Sequence, residues 1–428
     1  MPDRTPEFLP LIESHRLPGL DLGDGFVYPK YEDQSILNVP ASVCELLGIP
    51  PLKTPSLRAD LLSPLGDGTR KVILILMDAL GFQRLRTWMA EDQGLIWNRL
   101  AADGLLAPLT SISPSTTSAA ITTLWTSSPP SEHGIAGYEL WLKEYGIVAN
   151  MIEHKPITYR DGVGSLKLAG FSPETFLPVT SITGHLKENG VTPWAFQHYS
   201  ILNSGLSQMF MEGADRQSFR TSADLWVGLR QLCDQSPNER MYAWVYWGVV
   251  DGLSHFFGPD DVRPKAEFTT FSLAFERFFL KELSPAVKKD TLLIMISDHG
   301  QILTDKTNPH YDLRNHPEFT SLLHLLPTGE NRLSFLFVRP GKTGAVKEYI
   351  EEAWPGEFAV LDSSYALEKG LFGPGKPYAR LPERIGDLVV IARKNAFWWW
   401  AAKENPIVGR HGGLSPDEML VPFLAARL

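Results

Sequence analysis

The sequence predicts an α/β fold: a doubly wound, mostly parallel sheet with helices on both faces, plus a small inserted α+β subdomain. Three observations predict it. From residue 70 onward, apolar runs alternate with helical stretches, and the clearest run, KVILILM at 71–77, is unbroken. An unbroken run is what a strand buried on both faces requires. Three of these runs stop at an aspartate, namely Asp78, Asp251 and Asp298, and open parallel sheets bind ligands beyond the carboxyl ends of their strands. Between 301 and 404 the rhythm changes, as an insert between core elements would make it do.

Taken in order, residues 1–69 are rich in proline and glycine, with one short helix expected around ASVCELLGI. They read as an N-terminal extension packed on the core. The core occupies 70–300. After the strand 71–77 comes the helical FQRLRTWMAEDQGLIWNRLAADG, then LLAPLTSIS and the helix-like TTSAAITTLW. Two helix–strand pairs follow, TSITGHLKENG with VTPWAFQHY and ADLWVGLRQLCDQ with MYAWVYWGVV. A long helix near 264–284 leads into DTLLIMIS. This alternation is the signature of a doubly wound sheet. Residues 301–404 carry LSFLFVRPGKTGAVKEYIEEAW, EFAVLDSS and DLVVIARK, a small β-α-β-β cap, and the core resumes at 405–428 with RHGGLSPDEMLVPFL.

Composition narrows the function. The chain has 428 residues, 43% apolar and 21% charged, with a formal net charge of −9. That sign opposes non-specific binding to nucleic-acid backbones or anionic membranes. It leaves room for a small anionic substrate, because bound divalent cations reverse the local sign. The two cysteines, Cys44 and Cys233, stand in no ligand spacing and read as small buried hydrophobes. No apolar run approaches membrane-spanning length, and charges are scattered through the first 20 residues, so a cytoplasmic protein without a membrane segment is expected.

The strand-end aspartates carry the chemistry. One of them alone would be a helix cap or turn residue. Three at equivalent positions would repel one another, and two have a histidine close by: Asp251 precedes His255 by four residues, one helical turn, and Asp298 precedes His299 directly. Divalent cations resolve the repulsion, and mixed Asp/His ligation points to zinc, with manganese as the rival. Hydroxyls at Ser115, Thr116, Thr117 and Ser118 fall where a helix begins, and a helix N-terminus favours an anion.

With these residues in place, LILMDALG, SPSTTSAAITTLWTSSPPSEHGIAGY, VVDGLSH, MISDHG and RHGG occur in the order found in the alkaline phosphatase superfamily. The chain most resembles its type I phosphodiesterase/nucleotide pyrophosphatase branch, and the ending RHGGLSPDEMLVPFL also resembles PglZ-type domains. The resemblance implies that Asp251, His255 and His411 hold one metal ion. It likewise implies that Asp78, Asp298 and His299 hold a second, with Thr117 bridging toward both as nucleophile. It marks His133 as structural. Where nucleotide pyrophosphatases of this branch carry an asparagine after HGI, this chain has Tyr138, which puts nucleotide specificity in question. Arg410 adjoins a ligand and is a candidate for reaching substrate.

The reading is a metal-dependent phosphoester hydrolase, and more narrowly a phosphodiesterase, acting on a small phosphorylated, diester or nucleotide-like substrate through a covalent phospho-threonine. Two rivals stand beside it. One is a phosphomonoesterase or phosphomutase on the same metal core; the other is a non-catalytic module that binds a phosphorylated ligand.

Overall fold

The computed structural model describes residues 3–158 and 162–428. Its strands, in chain order, begin with β1 (Lys71–Met77), β2 (Leu105–Thr110), β3 (Glu139–Leu142), β4 (Ile147–Asn150) and β5 (Lys155–Pro156). They continue with β6 (Thr192–His198), β7 (Asp215–Phe219), β8 (Met241–Trp247), β9 (Thr291–Ile296) and β10 (Ile302–Leu303). The remainder are β11 (Thr328–Gly329), β12 (Leu333–Leu336), β13 (Phe358–Asp362), β14 (Leu388–Ala392), β15 (Gly409–Arg410) and β16 (Leu420–Arg427).

The central sheet has seven strands in the order β2-β16-β9-β1-β8-β6-β7. β1 pairs in parallel with β8 and β9, and β6 in parallel with β7 and β8. β16 runs antiparallel to both its neighbours. Every residue of β1, β2 and β9 is buried, as unbroken apolar runs demand. β8 shows that both faces are covered. Its side chains alternate across the sheet: Trp125 of the helix Thr117–Thr126 packs on Tyr242 and Trp244 from one side. Phe271 of the helix Val262–Phe275 packs on Trp247 from the other. The fold is the mixed α/β sandwich that the alternation predicts.

Residues 3–69 run along the β2 edge. Asp3 and Ser35 make isolated bridges to Leu106 and Thr110, and Phe8 and Ile12 of the helix Thr5–Glu13 are fully buried. The short helix expected around ASVCELLGI spans Val39–Leu46. Among the described residues no helix is long and apolar enough to cross a membrane.

A second sheet, also of seven strands, has the order β13-β14-β12-β11-β3-β4-β5 and is antiparallel throughout. Sheet membership therefore cuts across the sequence division at residue 300, because β3–β5 come from 139–156. The short β11 joins the two parts, pairing with β3 on one side and β12 on the other. Gly137 and Gly329 make that approach possible: a Cβ on Gly137 would lie 2.8 Å from the Gly329 Cα.

The two sheets are pinned by one buried ion pair. Arg332, in the turn between β11 and β12, reaches Glu418 at 2.7 and 2.8 Å through Nε and Nη2, and both side chains are 0% exposed. Burial alone would push the Glu418 carboxyl up. Arg332, the Ser415 hydroxyl and the Gly413 N–H outweigh burial and hold it below the usual range. Removing one partner strands the other charge in the interior, so Arg332→Met is expected to cost about 3–5 kcal/mol in urea unfolding.

Candidate active site and metal centre

The carboxyl ends of β1, β8 and β9 lie side by side, and their register brings the strand-end groups together. Asp78 follows β1 directly, Asp298 follows β9 by one residue, and Asp251 sits in the first turn of the helix Val249–Phe257 that leaves β8. His255 is one turn further along that helix, with Nε2 at 3.3 Å from Asp251 Oδ1.

Asp78 and Asp298 are almost completely buried. Asp298 Oδ1 accepts from the N–H groups of Ala79 at 3.2 Å and His299 at 3.0 Å, and Asp78 Oδ2 accepts from the Tyr246 hydroxyl. The other oxygens, Asp78 Oδ1 and Asp298 Oδ2, have no hydrogen-bond partner. Each lies 3.5 Å from His299 Nε2. Burial, then the charges of Asp298 and Asp251, push the Asp78 carboxyl far above the usual range. A cation beside Asp78 would offset that cost and favour its ionised form.

The histidines are set up to receive one. His299 Nδ1 lies 3.0 Å from the Gly300 carbonyl, His255 Nδ1 2.8 Å from that of Gly409, and His411 Nδ1 3.1 Å from that of Ser115. A carbonyl only accepts, so each Nδ1 donates and Nε2 is left as the ring nitrogen open to a metal. His411 is kept neutral by burial first and by His299 and His255 next, which drive its pKa well below the ordinary value. Among the described residues, candidate ligand atoms fall within 4.8 Å of one another in two groups: Asp78, Asp298 and His299, and Asp251, His299 and His411. Carboxylate oxygens without hydrogen-bond partners, set beside imidazole nitrogens, fit a divalent cation. His299 belongs to both groups, whereas the sequence reading assigned it to one. His255 approaches the second through Asp251.

Thr117 is the first residue of the helix Thr117–Thr126, and no side chain caps that helix end. Its hydroxyl lies 3.1 Å from His299 Nε2, against the first ligand group. Ser115 pairs with Gly412 across an antiparallel bridge, which fastens this loop to the one carrying His411.

The two substrate-binding candidates stand differently. Tyr138 is 37% exposed, its N–H donates to Glu330 at 2.8 Å, and its hydroxyl accepts from Asn150 Nδ2 at 2.6 Å. Arg410 is 1% exposed and donates to Asn331 Oδ1, Asn405 Oδ1 and the Ile407 carbonyl, with its guanidinium 4.1 Å from the Phe397 ring centre. Only its Nε lacks a partner. His133 is fully buried between Thr123 Oγ1 and the Ile135 N–H, a structural arrangement.

Three groups escaped the sequence reading. Gln301 donates to Asp251 Oδ1 from just beyond MISDHG, where its place next to a ligand motif was an available signal. Tyr246 donates to Asp78, and the period-2 alternation of β8 could have placed it. Glu330 lies in the turn after β11 and carried no motif at all.

The family model for type I phosphodiesterase / nucleotide pyrophosphatase matches residues 72–414. Among solved structures, murine ectonucleotide pyrophosphatase / phosphodiesterase 5 is 16% identical with a TM-score of 0.62, covering 83% of this chain and 88% of its own. Its human counterpart is 15% identical with a TM-score of 0.61, covering 83% and 88%. Phosphonoacetate hydrolase from Sinorhizobium meliloti 1021, in complex with phosphonoformate, is 15% identical with a TM-score of 0.61, covering 84% and 91%. At these identities the likeness shows a shared fold. No curated protein matches the sequence.

Tyr246→Phe removes the donor to Asp78 while keeping the ring. Groups that orient ligands typically carry 10–100-fold in metal affinity, so a loss of roughly that size is expected in a chelator competition. Unchanged affinity would mean that the hydroxyl does not orient the carboxylate.

Proposed function

This chain belongs to the type I phosphodiesterase/nucleotide pyrophosphatase family and is a phosphoester hydrolase; on that premise we propose that it is a phosphodiesterase using Thr117 as a covalent nucleophile. The observation that carries the reading is the Thr117 hydroxyl at an uncapped helix N-terminus, 3.1 Å from His299 Nε2. Beside that nitrogen lie the two unpartnered carboxylate oxygens of Asp78 and Asp298.

Asp78, Asp298 and His299 would hold one divalent ion, and Asp251, His255 and His411 a second, with zinc favoured over manganese by the three imidazoles. Such ions neutralise the carboxylates and the phosphoryl oxygens and lower the pKa of an oxygen in contact with them. The chain's own residues do the rest. The first turn of the helix Thr117–Thr126 offers its N–H groups to the phosphoryl oxygens. Thr117 Oγ1 gives up its proton to solvent and attacks phosphorus in line; the Oγ1–P bond forms, and the bond to the leaving oxygen breaks as that oxygen takes a proton from solvent. Water then attacks phosphorus, its oxygen stays on the released phosphate, the Oγ1–P bond breaks, and a proton returns to Thr117 Oγ1.

Preference for a diester follows from charge. A monoester arrives as a dianion and calls for cations around its non-bridging oxygens. Arg410, the cation nominated from the sequence, is tied to asparagines, and Lys143, which follows Tyr138 in β3 and its turn, pairs with Glu383 at 3.0 Å. The ligands in the neighbours' structures, AMP and phosphonoformate, support a small phosphorylated substrate.

Thr117→Ala is expected to lower turnover of bis(4-nitrophenyl) phosphate by several orders of magnitude with metal content unchanged, while Thr116→Ala costs far less. The reverse order would place the nucleophile one residue earlier. In kcat/KM, that diester is expected to exceed 4-nitrophenyl phosphate. A preference for the monoester would overturn the diester assignment and leave the nucleophile standing.

A further inference from the structure

Two residues of backbone serve all three ligands assigned above to the second ion. β15 pairs with β10 through Ile302 with Arg410 and Leu303 with Gly409. The Gly409 carbonyl accepts from His255 Nδ1 at 2.8 Å. A Cβ on Gly409 would strike the Ser254 carbonyl and the Gln301 side chain, and Gln301 is the residue whose amide donates to Asp251 Oδ1. His411 follows β15 directly, with its Nδ1 donating to the Ser115 carbonyl at 3.1 Å. Asp251, His255 and His411 therefore all take their settings from one short ribbon.

A ribbon of two strands, each two residues long, does not support itself. The Arg410 side chain supplies the anchor. It is 1% exposed and reaches separate parts of the chain. Nη1 donates to Asn331 Oδ1 in the turn between β11 and β12. Nη2 donates to Asn405 Oδ1 at 2.6 Å and, at 3.4 Å, to the Ile407 carbonyl. The guanidinium lies 4.1 Å from the Phe397 ring centre and 5.5 Å from that of Trp399. All of these acceptors are neutral, and burial, followed by the charge of Arg332, brings the guanidinium pKa down to about 9. A cation buried among neutral acceptors costs stability, and packing alone would be met by an apolar side chain. What an apolar side chain lacks is the planar fork that ties one segment to several others at fixed angles.

We propose that Arg410 is a positioning residue for the second metal ion: gripped by Asn331 and Asn405, it fixes the ribbon from which Asp251, His255 and His411 are set. The inference rests on the two-ion reading of the site.

The test is a titration of the zinc-loaded, full-length protein with a chromophoric chelator, with the thermal midpoint recorded for each variant. Wild type is expected to hold two zinc ions, and His411→Ala to lose one of them. Arg410→Met is expected to weaken that same ion by about 10–100-fold and to leave the other within about 3-fold of wild type, since orienting groups act on the ligands they touch. Arg410→Lys keeps the charge without the fork, and its zinc affinity is expected to stay within about 3-fold of Arg410→Met. Equal weakening of both ions, an affinity for the second ion within about 3-fold of wild type, or full recovery in Arg410→Lys would each overturn the proposal. Should Arg410→Met fail to fold, Asn405→Ala takes away one acceptor of the fork and is expected to weaken the second ion alone, by at least about 3-fold. No change in Asn405→Ala would then count against the proposal just as firmly. A wild type that holds a single ion refutes the two-ion reading and the inference with it. Two ions in wild type with the second unaltered in Arg410→Met refutes only the role of Arg410.

Discussion

The meeting of two buried carboxylates, Asp78 and Asp298, is the constraint around which this protein is built. Adjacent parallel strands deliver them to the same place, and the interior removes the water that would screen them. Each keeps one oxygen supplied with donors, from Tyr246 on one side and from two backbone N–H groups on the other. Each leaves its second oxygen bare toward His299. The backbone reinforces this polarity by accepting from Nδ1 of all three histidines, which leaves Nε2 of each ring free for a ligand. A structure that only wished to be stable would have paired these groups. Leaving them bare is costly unless a cation completes the set.

The frame around that cluster is correspondingly stiff. Ser115 and Gly412 join the two loops that flank it, and Arg332 with Glu418 locks the second sheet to the turn before β16. Tyr246 and Gln301 hold the carboxylates of Asp78 and Asp251 from behind. Such support limits the freedom of the strand-end groups, which is what a site that must place several ligands at once requires.

Much of this was legible in the sequence because a buried parallel strand leaves an unmistakable mark. The runs ending at Asp78, Asp251 and Asp298 identified the strands, and the same runs located the site at their carboxyl ends. What the sequence could not carry was contact between distant segments. β3–β5 are short, and only pairing through the two-residue β11 draws 139–156 into the second sheet. The sharing of His299 between two ligand groups depends on ring placement, which no spacing encodes. Arg410 looked available beside His411, yet its pairing with Asn331 and Asn405 arises from a turn 79 residues away and a loop 5 residues away. Glu330 had no periodicity or motif to betray it, because the group it accepts from, the Tyr138 N–H, lies 192 residues away in the chain.

The place of β16 has a consequence for the birth of the molecule. This strand, Leu420–Arg427, lies between β2 and β9, whose residues precede it by more than a hundred positions, and it bonds to both. A chain emerging from a ribosome can assemble β1, β6, β7, β8 and β9 in sequence, but β2 has no place beside them until β16 arrives. Until then β9 shows an open, wholly apolar edge, the kind of surface on which nascent chains stick to one another. The loop bearing His411 and the Glu418 anchor emerges just ahead of the same strand. The half-built sheet and the half-built metal centre are therefore completed together, and a ribosome-bound intermediate has Asp78 and Asp298 in place before it has His411 to join them.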